Sequence, residues 1–287
     1  MVDVPTLGLL LAVGAFYGAG VVRVWQRAGG GRVIRRWQPV CFAAALLTTA
    51  VALASGLDQA AGRSLTAHMT QHVLLISVAA PLFAISGPLV AGVHALDLAQ
   101  SSRRVGRPLH RVGGRGRTAI LLVTALLLHT AAVGLWHVPQ WYGVALRDPL
   151  LHVAEHVSFL FTAVFLWWAA IGAGRGMARG AGVLALFVTT LPMNALGVLM
   201  TLAHTPWYSA YVHHASTSAA LDDQALAGVV MWGFGGVAAL VGAFALFVAW
   251  LDGMERANPS RGRRPTALPA VTVTQAAAGP SVNGSAP

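Results

Sequence analysis

The chain has 287 residues, 56% hydrophobic and only 10% charged, where a soluble domain carries about 25% charge. That balance excludes an ordinary soluble domain and points to a lipid bilayer as the solvent of most of the chain. The formal net charge of +10 comes from 19 basic residues, all of them arginine; arginines flanking membrane helices account for it, so no nucleic-acid partner is expected.

One cysteine, Cys41, excludes an intrachain disulfide and a thiolate metal cluster. It lies near one end of the second apolar run and reads as a small buried residue. Any metal must therefore be held by His, Met, carboxylate or backbone. The start, MVDVPTLGLLLAVGAF, has no cationic region ahead of its apolar run, so the first run is expected to stay as a span rather than be cleaved.

A span needs about 20 apolar residues. Seven runs meet this: roughly 5–25, 37–56, 66–86, 117–136, 150–171, 181–203 and 223–251. The apolar stretch from Leu65 to Leu98 is too long for one span and too short for two. Gly87-Pro88 is the natural break, because proline removes a helix donor and clashes with the preceding turn. Residues 88–99 then form a short helix at the interface. The expected fold is all-α: a polytopic bundle of seven transmembrane helices over 1–255, with a disordered cytoplasmic tail over 256–287 that is rich in Pro, Ala, Ser and Gly.

The arginines orient the bundle. With seven spans and the N-terminus outside, 17 of the 19 fall in the cytoplasm, and only Arg63 and Arg147 lie on the other side. The same topology places nine of the eleven histidines toward the outer face, leaving His94 and His110 cytoplasmic. His68 and His72 open span three, His137 closes span four, and His152 and His156 open span five. His129 lies two turns deeper in span four. His204 ends span six, with His213 and His214 in the loop beyond.

HMTQH at 68–72 and HVAEH at 152–156 each set two imidazoles at i and i+4, on one helix face. Such a pair can offer two nitrogens to one ion, and imidazole suits copper, zinc, iron and nickel. Met69, Met193 and Met200 can add thioethers, which favour Cu(I), although core packing is the simpler reading of Met193 and Met200. Glu155 is a carboxylate inside an apolar span, where a partner or a role is expected. The candidate metal set is His68, Met69, His72, His137, His152, Glu155 and His156. Trp136, Trp141, Tyr142, Trp207, Tyr208 and Tyr211 read as an aromatic belt at the outer membrane surface.

Four ordered motifs, HMTQH…AAP at 68–81, LWHVPQWYGVAL at 135–146, LHVAEHVSFL…WW at 151–168 and DQALAGVVMW at 223–232, resemble the CtaG family of caa3-type cytochrome c oxidase assembly factors. The resemblance runs from about residue 66 to 250 and covers His68, Met69, Gln71, His72, Trp136, His137, Pro139, His152, Glu155, His156, Asp223 and Gln224. It implies a bacterial plasma-membrane protein with cytochrome c oxidase subunits as partners and a role in building the oxidase's copper centre. Two positions depart from the family pattern: Ala225 stands where a second glutamine is common, and Phe234 where a proline precedes Gly235-Gly236.

Three functions remain open on the residues. A copper-handling assembly factor would hold the ion at the outer histidines and need no catalytic step. A zinc hydrolase would use HVAEH, which matches H-x-x-E-H, with Glu155 as base. A haem protein would pair His72 or His129 with a histidine of span five.

Overall fold

A computed structural model describes residues 3–96, 114–172, 177–212 and 216–257. The regular elements among them are all helical. Seven segments are long and apolar enough to cross a membrane: Val4–Ala28, Gln38–Ala61, Leu65–Ile85, Gly116–Trp136, Pro149–Ile171, Ala178–Thr201 and Thr217–Arg256. The chain is a multi-pass membrane protein of helical architecture, as composition and run length require. The tail beyond Ala257, and His110, His213 and His214, lie outside the described residues.

In chain order the helices are α1 (Val4–Ala28), α2 (Gln38–Leu53), α3 (Gly56–Ala61), α4 (Leu65–Val73), α5 (Ala80–Ile85), α6 (Pro88–Ala95), α7 (Gly114–Trp136), α8 (Pro139–Ala145), α9 (Pro149–Ile171), α10 (Met177–Thr201), α11 (Ser209–Val212), α12 (Thr217–Val229) and α13 (Gly236–Ala257). Two spans are not uniform. A π-helical turn over Leu74–Ala79 joins α4 to α5, and another over Val230–Gly235 joins α12 to α13. Apolar periodicity does not reveal either, since a π turn keeps the run apolar and only adds a residue to the turn.

Local chemistry sets the helix starts at the histidine end. Ser64 caps α4 by accepting from the Ala67 N–H. Asp148 caps α9 by accepting from Leu150 and Leu151 N–H, with Pro149 as the first helical residue. The break at Gly87 is as expected: its φ of 72° lies in the left-handed region, which glycine enters at no steric cost. The chain then turns back as α6, which packs along α1 with Ala91 fully buried.

Helix α9 lies centrally, packed against α7, α10 and α5. Its Phe159, Ala163, Leu166 and Trp167 join Leu122 and Ala125 of α7 and Leu186 of α10 in the main apolar core. A second core links α1, α2 and α6, where Tyr17 and Phe42 stack and the Tyr17 hydroxyl donates to Ser86 O. Cys41 is partly exposed, not buried. Helix α2 packs through Phe42, Ala45, Thr49 and Ala52, and Cys41 lies beside that stripe rather than on it.

Candidate metal centre

Helix α4 brings His68 and His72 to the interior face of the third span, and α9 brings His152 and His156 toward them. Within each helix the paired rings lie 4.4 Å and 4.5 Å apart, centre to centre. Across the two helices, His68 lies 5.4 Å from His152 and His72 lies 5.3 Å from His156. Ligand atoms of His68, His72 and His156 all fall within 4.8 Å of one another, and so do those of His68, His152 and Glu155. His68, His72, Glu155 and His156 are buried, while His152 is half-buried at the rim.

His137 enters from the end of α7, its ring 5.9 Å from that of His72. Its Nδ1 lies 2.8 Å from Val133 O. A carbonyl only accepts, so Nδ1 carries the proton. Burial lowers the pKa of His137, which keeps the ring neutral and leaves a lone pair on Nε2. This is the arrangement of a metal-ligating histidine, with one nitrogen bonded to the backbone and the other free to ligate.

Glu155 approaches the span-three histidines: its Oε1 lies 3.5 Å from His72 Nε2 and 3.8 Å from His68 Nε2. Neither distance makes a hydrogen bond. Both ring nitrogens of His68 and His72, Nε2 of His137, His152 and His156, and both carboxylate oxygens of Glu155 are buried without a hydrogen-bond partner among the described residues. Buried polar atoms are nearly always paired. A knot of lone pairs on imidazole and carboxylate is the donor chemistry of a copper or zinc ion, so these residues fit a metal.

Met69 is fully buried in an apolar cluster with Leu65, Tyr142, Met200 and Met231. That cluster also holds Tyr208 and Tyr211, which corrects the aromatic-belt reading. Of the six aromatics, Trp141 is half-exposed and Trp207 partly so, but Trp136, Tyr142, Tyr208 and Tyr211 are buried. Trp136 donates from its indole to Ser158 Oγ, and Tyr208 donates to His137 O. Tyr211 donates to Ala61 O and also bonds the Tyr142 hydroxyl at 2.7 Å. Since the Tyr211 hydrogen goes to the carbonyl, Tyr142 is the donor between the two phenols. Burial, reinforced by Tyr211, raises the Tyr142 pKa well above the ordinary phenol range, so it stays neutral. Its ring covers His68 at 5.2 Å. Tyr142, held by Tyr211 from another connection, thus covers His68, which no local spacing announces.

Two further positions gain a physical role. The Asp223 carboxylate accepts from Ser64 Oγ and from the Leu65 and Thr66 N–H groups, so α12 caps the helix that carries His68 and His72. Gln71 Nε2 donates to Ala52 O and to Asp58 Oδ1, tying the same helix to the α2–α3 corner. The sequence of the connection gave no sign that Asp58 takes part. Gln224 Oε1 accepts from Trp207 N–H, which holds the loop under the tyrosines. His204 is exposed and His129 lies deeper in α7, so neither is among the residues gathered here.

The sequence model of the cytochrome c oxidase caa3 assembly factor family matches residues 15–253. The chain belongs to this family. The match extends beyond the four motifs to α1 and α2, so the Tyr17–Phe42 core is part of the family domain along with the histidine basin. No curated protein and no solved structure matches the chain. Membership makes the protein a cytochrome c oxidase assembly factor.

Proposed function

We propose that the protein handles copper for the oxidase, holding the ion transiently on His68, His72, His137, His152, His156 and Glu155 and passing it to a copper centre of an oxidase subunit. Copper is here the cargo rather than a resident cofactor. The observation that carries this reading is the group of unpartnered nitrogens and carboxylate oxygens buried between α4, α7 and α9. Leaving such atoms unpaired costs about 1–3 kcal/mol each, and a bound cation removes that penalty. Six side chains exceed the four ligands of a closed structural site, so an ion can exchange partners as it arrives and leaves. Met69 is placed outside this set because its side chain belongs to the neighbouring apolar cluster.

The arginine distribution supports an outward-facing site, with the N-terminus outside and the tail in the cytoplasm. Imidazole and carboxylate suit zinc as well as copper; the oxidase role of the family favours copper. Two features speak against a zinc hydrolase on HVAEH. Glu155 is fully buried, and it lies against two histidines where a base would need water and substrate. Bis-histidine haem ligation by His72 and a span-five histidine is disfavoured by the packing, since the basin rings, 4.4–5.9 Å apart, leave no slot for a macrocycle.

The test is oxidase maturation in cells that carry the double variant His68→Ala/His72→Ala in place of the wild-type chain. With the variant present in membranes at wild-type level, the oxidase is expected to lose copper and activity. Full copper content in the oxidase would overturn the reading.

A further inference from the structure

Beyond the histidine basin, one turn further along α9, lies a small, mainly apolar cavity into which a few polar residues are set. Phe159 packs on His72 at 4.6 Å, and Ala163, one turn on, lines a cavity of about 30 Å³. Its lining includes Ser77, His129, Trp167, Thr189, Thr190 and Asn194, together with the thioether residue Met193. Among the described residues no carboxylate or arginine lines it.

Three helix irregularities meet at this cavity. The π turn over Leu74–Ala79 supplies Ile76 and Ser77, and the π turn over Val230–Gly235 supplies Gly235. Pro192, next to Met193, lacks the N–H that would bond Val188 O, which interrupts the hydrogen bonding of α10 there. In a membrane interior each lost backbone bond is costly, and π turns concentrate at functional sites. Gly236 adds a fourth feature: a Cβ there would sit 2.7 Å from Asn194 Oδ1, so a larger residue would push the amide aside.

The cavity presents acceptors. The Thr162 hydroxyl donates to Ser158 O at 2.7 Å, so it must accept from His129 Nδ1–H at 2.9 Å. His129 is thereby left with its lone pair on Nε2. Asn194 Oδ1 is buried without a partner. Thr189 and Thr190 give their hydrogens to Ala185 O and Phe187 O, which leaves only oxygen lone pairs for the cavity.

We propose that this cavity is a second metal station, binding one Cu(I) ion on His129 Nε2 and the Met193 thioether with the Asn194 amide oxygen beside them. The unpartnered Asn194 Oδ1 and the lone pair on His129 Nε2 favour a cation over an anion. The absence of carboxylates selects low charge, because a buried divalent ion without counter-charge is far more costly. The thioether selects a soft ion, and Cu(I) is the soft monovalent one. The volume holds an ion or about two waters and excludes an organic ligand. The choice of copper rests on the function proposed above; the donor set does not.

The test is anaerobic Cu(I) titration of the purified full chain against a chromophoric chelator, combined with copper X-ray absorption. The wild type is expected to take up about two ions per chain, with a sulfur scatterer on the copper. Met193→Leu, which conserves volume, is expected to lose one ion and the sulfur signal while its thermal melt stays unchanged. Met69→Leu should keep both ions and the sulfur. His68→Ala/His72→Ala should keep the sulfur-bound ion and lose the other. If that double variant loses nothing, the outer reading fails while the inner station stands. Unchanged stoichiometry and sulfur scattering in Met193→Leu would overturn the inner station and leave the cavity to water.

Discussion

Glu155 Oε1 stands 3.5 Å from His72 Nε2, across the contact between the third and fifth spans. The pair is close enough to share an ion and too long to be a hydrogen bond. A carboxylate among imidazoles can orient the rings and offset the charge of a cation. Replacing Glu155 by Gln keeps the shape and removes the charge. Metal affinity is expected to fall by roughly 10–100-fold, measured by chelator competition. An unchanged affinity would reduce Glu155 to a packing residue and HVAEH to a coincidence of spacing.

Asp223 holds the start of α4 from another span. Its carboxylate accepts three hydrogen bonds, two of them from backbone N–H groups of that helix. Asp223→Ala is expected to destabilise the fold by about 2–3 kcal/mol, in the range for hydrogen bonds to a charged group. Asp223→Asn keeps part of the cap and should cost about 1 kcal/mol. Denaturant unfolding in detergent reads both. The order Ala worse than Asn is the content of the prediction, and the reverse order would contradict the capping role.

The tyrosine cluster makes a similar ordering. Tyr142 donates to Tyr211, and Tyr211 donates to Ala61 O. Tyr142→Phe removes one hydrogen bond and should cost about 1 kcal/mol. Tyr211→Phe removes both and should cost about 2 kcal/mol. Equal costs would show that the two phenols do not form the chain described.

Much of this was legible in the sequence because membrane spans depend on local properties. Run length gave seven spans, Gly87-Pro88 gave the break, and the i,i+4 spacing put each histidine pair on one face. The centre itself depends on which faces meet, and that is set by packing between helices. Spacing could not show that Asp223 caps α4, that Asp58 reaches Gln71, or that His137 turns its Nε2 inward. The buried tyrosines read as a belt because an amphipathic ring at a span end serves equally well facing lipid or facing the core. The π turns were hidden because their residues are as apolar as those of the α-helix around them.

The orientation has its own test. In a Cys41→Ala background, single cysteines placed at 27–36 are expected to react only with a membrane-permeant maleimide in intact cells. Cysteines at 146–149 should react with an impermeant one. Labelling of 27–36 by the impermeant reagent would invert the bundle and put the histidine basin on the cytoplasmic side.

The most direct test of the central claim is the metal content of the purified chain after exposure to equal copper and zinc. It is best done in the Met193→Leu background, where only the histidine basin is expected to bind. The account predicts about one copper ion per chain, lost on adding His68→Ala and His72→Ala. Zinc in place of copper, or copper retained in full without those two histidines, would contradict it.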